Sequence, residues 1–206
     1  MTTHPMATRP MTPYAKTTYL LLHGYENHRP PGHWHHWLAG ALRERGHEVR
    51  YPQLPEPDAP VLGDWLDTLE EHGRRPAEGE FVVVAHSLGV LLWLRAAAAG
   101  RVPDADRVLL VAPPSPAVTA SVPEIAGFAD GLDLASVPLK APARLVWAAA
   151  DPYCPEGAAH HYAGPLGLDT DEVPGGAHLT PDSGYGAWPS VLEWCENPAT
   201  RVGANR

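Results

Sequence analysis

Between residues 17 and 196, short apolar runs alternate with stretches in which apolar residues recur every three or four positions. Runs of four to six residues bounded by Gly, Pro or Asp read as strands, and the repeats near 3.6 residues read as helices. The pattern predicts strands at 18–22, 48–51, 81–85, 107–112, 144–149 and 169–173, with helices at 34–45, 61–72, 88–99, 155–163 and 189–195. Regular alternation of the two predicts a parallel sheet, and strands that are apolar throughout predict helices covering both of its faces. Trp34, Trp37, Leu38 and Leu42 fall on one helical face and read as core. Between residues 113 and 142 only about thirty residues separate two strands, too few for a large cap, and a short helix over 123–128 is the expected covering element.

The flanks lack this pattern. Residues 1–16 mix Thr, Pro, His and Met without a continuous apolar stretch and are expected to form a flexible tail that is neither a secretion signal nor a membrane span. Residues 197–206 carry no periodicity and are expected to fray. One domain over 17–196 remains, and a chain of this size buries about 70% of its unfolded surface. With 24 acidic against 15 Lys and Arg residues, the formal charge of -9 argues against nucleic acid or an anionic membrane surface as partner. The 24 prolines and 19 glycines lie mostly between apolar runs, marking loops. Cys154 and Cys195 make no disulfide framework, which fits reduced thiols in a cytoplasmic protein.

Candidate chemistry begins at 81–93, where an apolar strand meets Ala85-His86-Ser87-Leu88-Gly89 and continues as a helix. A sharp strand-to-helix turn with small residues two before and two after a serine exposes its oxygen as a nucleophile, and the amide of Leu88 at the helix start is an oxyanion donor. Asp151 follows the strand at 144–149, and His178 ends a Gly175-Gly176-Ala177 turn after the last strand. The order Ser, Asp, His at strand ends is that of a triad in which His178 takes the Ser87 proton and Asp151 orients it. Alone, Ser87 also reads as a helix cap, Asp151 as an Asp-Pro turn and His178 as an exposed loop residue.

Three blocks carry a resemblance: His23-Gly24-Tyr25-Glu26-Asn27 with Trp34 and Trp37; Ala85-His86-Ser87-Leu88-Gly89; and Asp151-Pro152-Tyr153 with Gly176-Ala177-His178 and Gly184-Tyr185-Gly186-Ala187-Trp188-Pro189. The chain resembles a small serine hydrolase of the α/β-hydrolase superfamily, in the YdeN-like and retinoblastoma-binding-protein-nine-like group. Ala85 departs from the usual glycine by one methyl group. The resemblance implies a three-layer α/β/α sandwich with a mostly parallel six-stranded sheet in the order 2-1-3-4-5-6, a minimal lid, and a triad of Ser87, Asp151 and His178. It also implies an oxyanion donor in the loop after the first strand: Tyr25, or Glu26 because Arg29-Pro30-Pro31-Gly32 lengthens that loop. His23, Gly24 and Phe128, or Ile125 beside it, are the expected substrate contacts.

The twelve histidines raise the question of a metal. His33 and His36 fall on one helical face and His160-His161 form a pair, but no cysteine or carboxylate completes a tetrahedral set, so the reading is packing or solvated histidines with no metal and no cofactor. His86 reads as a packing or hydrogen-bonding residue. Two function classes remain open: an enzyme cleaving small acyl esters, thioesters or amides, and a protein-binding module that keeps the scaffold without the chemistry.

Overall fold

The computed structural model describes residues 16–205. The tail expected at 1–16 therefore lies, apart from Lys16, outside the described residues. The strands are β1 (Thr18–Leu22), β2 (Glu48–Arg50), β3 (Phe81–His86), β4 (Arg107–Val111), β5 (Ala143–Trp147) and β6 (Asp169–Glu172). They form one parallel sheet in the order β2-β1-β3-β4-β5-β6, as the resemblance implies.

Two-residue periodicity divides the central strands between two cores. Tyr19 and Leu21 of β1 and Val82 and Val84 of β3 face α1 (Trp34–Glu44) and α6 (Pro189–Glu196). Leu20, Leu22, Phe81, Val83 and Ala85 face α2 (Leu62–His72) and α3 (Leu88–Ala98) on the other side. Burial on both faces is why these strands are apolar without interruption, whereas edge strand β6 is polar throughout and buries only Asp171, with Asp169 and Glu172 exposed.

Three expectations need correction. Residues 155–163 do not form an α-helix; a π-helical turn at Ala159–Ala163 runs into the one-turn α5 (Gly164–Leu166), because Pro155, Gly157, Gly164 and Pro165 punctuate the segment. The helix expected at 123–128 is replaced by α4 (Pro116–Ser121) and a single 3-10 turn at Ala126–Phe128. Ser115 caps α4 by accepting from the Val118 amide at 3.2 Å, and Pro116 supplies a preset first helical residue. Finally, residues 197–205 are packed against the domain. Val202 is buried, its amide donates to Asp171 Oδ2 at 2.9 Å, and Trp188 Nε1 donates to the Gly203 carbonyl at 2.8 Å. These are long-range bonds, which periodicity does not register. Among the described residues no helix is long and apolar enough to cross a membrane.

Candidate active site

Because all six strands run in parallel, the carboxyl ends of β1, β3, β5 and β6 meet at one rim, and the loops beyond them bring Gly24, Ser87, Asp151 and His178 together. Ser87 adopts φ 55° and ψ -126°, a left-handed conformation that a non-glycine residue holds only when its surroundings fix it. Its amide donates to the Val111 carbonyl at 2.9 Å, anchoring the turn to β4. The hydroxyl does not cap α3; it lies 2.9 Å from His178 Nε2. His178 Nδ1 lies 2.8 Å from Asp151 Oδ2. A carboxylate only accepts, so Nδ1 carries the proton, leaving Nε2 as the bare acceptor facing the serine O–H. Asp151 is itself fixed: it is 3% exposed and its Oδ1 accepts from the Tyr153 amide at 2.9 Å.

The glycines of the motifs are required by close approach. A Cβ on Gly24 would lie 2.7 Å from Ser87 Cβ, and one on Gly89 would lie 2.6 Å from the Leu22 carbonyl oxygen and 2.7 Å from that of His23. Ala85, paired with Leu22 in the sheet, fits its methyl into the core.

A cleft of about 540 Å³ opens over Ser87. Pro114, Val118, Val122 and Ile125 form an apolar wall; Glu26, Asn27, Thr180 and Asp182 form a polar one. Tyr153 stands half-exposed at the mouth, its ring centroid 4.4 Å from that of His178. Gly24, Tyr25 and Leu88 also line the cleft. Leu88 begins α3, so its amide has no intrahelical acceptor. Of the two loop alternatives, Glu26 is spent: its amide donates to the Pro57 carbonyl at 2.9 Å, while the Tyr25 amide finds no acceptor among the described residues.

Two expected substrate contacts are corrected. His23 is fully buried beneath the loop; Nδ1 donates to the Gly24 carbonyl at 2.8 Å and Nε2 accepts from the Leu54 amide at 2.8 Å, so its role is to hold the loop. Burial lowers its pKa to about 4 and keeps it neutral. Phe128 points into the core against Trp65, ring centroids 5.2 Å apart, and Ile125 lines the cleft in its place. Val118 and Val122 were not foreseen; the legible signal was Ser115-Pro116, a helix start within a stretch otherwise resembling loop. His33 and His36 do not converge, since His33 is buried at the α1 N-cap, accepting from the His35 amide at 3.1 Å, and His36 is exposed. No group of three His, Cys, Asp or Glu among the described residues is arranged to hold a metal ion.

Residues 19–197 match the family described as Serine hydrolase. The chain belongs to that family. The hydrolase YdeN of Bacillus subtilis (strain 168) is 37% identical to it over 75 residues, which are 36% of this chain and 38% of that relative's length. The crystal structure of the B. subtilis ydeN product superposes with a TM-score of 0.71 at 25% identity, covering 88% of this chain and 97% of that one. A YdeN-like protein from Pectobacterium atrosepticum gives a TM-score of 0.69 at 21% identity over 88% and 90% of the two chains. An esterase domain from Rhodothermus marinus gives 0.63 at 16% identity over 86% and 85%. The fold shared with these neighbours is that of the α/β hydrolases, and this member of the family carries Ser87, His178 and Asp151 in the loops beyond the strand ends described above.

Proposed function

We propose that the chain is a carboxylesterase-like hydrolase that cleaves small acyl esters, or related thioesters and amides, through an acyl-serine intermediate. The observation that carries this reading is the unbroken Ser87–His178–Asp151 chain, with spacings of 2.9 and 2.8 Å, at the floor of an open cleft. Ser87 Oγ attacks the substrate carbonyl as His178 Nε2 takes its proton, and Asp151 holds the tautomer and stabilises the imidazolium that forms. The amides of Leu88 and Tyr25 donate to the oxyanion. His178 then protonates the leaving alcohol, thiol or amine, and the same base activates water to release the acid. Water is the only other reactant, and no cofactor is required.

The acyl group lies along Val118, Val122 and Ile125. The turn that follows this wall is held: Arg95 donates to the carbonyls of Phe128 and Gly127 at 2.8 Å each and to that of Asp130, clamping 127–130 to α3, and Ser115 caps the helix that carries Val118. A wall held in this way and a cleft of about 540 Å³ support small acyl groups over long lipid chains.

A fluorophosphonate probe tests the reading, since it labels only a serine whose base is in place. Labelling of the wild type that disappears in Ser87→Ala and His178→Ala is expected. An unlabelled wild type overturns the proposal, and equal turnover of long-chain and short-chain esters overturns the size preference.

A further inference from the structure

His86 ends β3 one residue before Ser87 and is buried against the loop that carries His178. Its Nε2 lies 3.0 Å from the carbonyl oxygen of His178. A carbonyl only accepts, so Nε2 carries the proton and the ring is the neutral donor. Its centroid is 5.1 Å from that of His178, and His33, Trp34 and His35 pack around it at 5.2, 5.6 and 5.9 Å. Burial, with help from the nearby His178 and His33, pushes its titration well below the usual histidine range.

The loop needs such an anchor. Ala177 and Leu179 flank His178 with φ of 44° and 54°, conformations that cost a non-glycine residue on the order of 1–3 kcal/mol and persist only when neighbours impose them. Asp151 holds the His178 ring, and within the loop the Leu179 amide donates to the Gly176 carbonyl at 2.9 Å with Leu179 buried in the core, but neither hydrogen bond ties the loop to β3. The His86 bond does. It ties the His178 backbone to β3, whose His86 is in register with Val111, and β3 is the strand that presents Ser87. Both ends of the Nε2-to-Oγ contact are thereby referred to one rigid element.

We infer that His86 is a positioning residue: by donating to the His178 carbonyl it sets the distance between His178 Nε2 and Ser87 Oγ. The inference rests on the triad reading above. A misplacement of about 1 Å at reacting groups costs on the order of 100-fold in rate, so part of that range is the expected effect.

The test compares wild type with His86→Leu, His86→Asn and His86→Gln, using fluorophosphonate labelling rates, kcat and KM for p-nitrophenyl acetate, and thermal unfolding. Gln carries an amide nitrogen about as far out as Nε2, Asn reaches only as far as Nδ1, and Leu has no donor. The Leu and Asn variants are expected to lose about tenfold or more in kcat with KM nearly unchanged, and Gln to restore most of it. A wild type that labels, beside folded Leu or Asn variants that turn over equally fast, overturns the positioning role and leaves the triad reading intact. A wild type that does not label overturns both. Should Leu prevent folding, the Asn and Gln variants carry the comparison, and equal kcat in those two overturns the inference.

Discussion

Acid is expected to destabilise this protein through its histidines before its carboxylates titrate. His23, His33, His35 and His86 are buried together beneath the cleft, and none has a carboxylate partner among the described residues. Burial lowers His23 and His33 to about 4 and pushes His35 and His86 well below their usual range. In the unfolded chain all four titrate near their ordinary value of about 6.5. Between roughly pH 6.5 and 4 the unfolded chain therefore binds protons that the native state does not, so the stability is fully present above that window and is lost as pH falls through it. Integrating the linkage from pH 7 to 5 gives a loss of about 2 kcal/mol for each of His23 and His33, with His35 and His86 acting in the same direction. Against a typical total of roughly 5–15 kcal/mol, that is a large fraction. Urea unfolding followed by tryptophan fluorescence at several pH values across this range measures it directly. His35→Leu should flatten the slope by up to about 1.4 kcal/mol per pH unit, the share of one titrating group. An unfolding free energy constant within about 1 kcal/mol from pH 7 to 5 would refute the account.

Other outcomes follow from the same contacts. Asp151→Asn is expected to lower kcat by about four powers of ten while leaving the fold intact, checked by steady-state kinetics beside circular dichroism. Gly24→Ala should cost turnover more than stability, because its new methyl meets Ser87 Cβ at 2.7 Å; Gly89→Ala, which meets two backbone carbonyls, should destabilise by about 1–3 kcal/mol in denaturant titration. Ile125→Trp should depress turnover of butyrate esters more than acetate esters if the apolar wall holds the acyl chain; equal losses would count against that assignment. Cys154 and Cys195 are buried with thiols pushed up to about 12, so iodoacetamide at neutral pH should modify neither until the protein unfolds, as mass spectrometry can show.

Hydrophobic periodicity was enough to place the central strands and the longer helices, because a strand buried on both faces must be apolar at every position and a helix beside it must be apolar on one side; the order of the strands came from the family resemblance. The strand ends, expected at 22, 85, 149 and 173 and found at 22, 86, 147 and 172, were legible to within two residues, and Ser87, Asp151 and His178 could be read beyond them because a reactive serine needs small residues around a sharp turn and an acid and a histidine following it in that order. Only the tertiary structure decided what each remaining side chain touches. His23 looked like a cleft residue by its place in the chain, yet the Leu54 amide and the Gly24 carbonyl take both ring nitrogens beneath the loop. Phe128 and Ile125 are three positions apart, and the direction of one 3-10 turn decides which faces the cleft. The charged and polar 169–172 and 197–205 segments gave no sign that Asp171 would hold the Val202 amide. Local pattern reports which residues must leave water; partners brought together across dozens of residues depend on how the finished layers meet, and no short-range regularity encodes that.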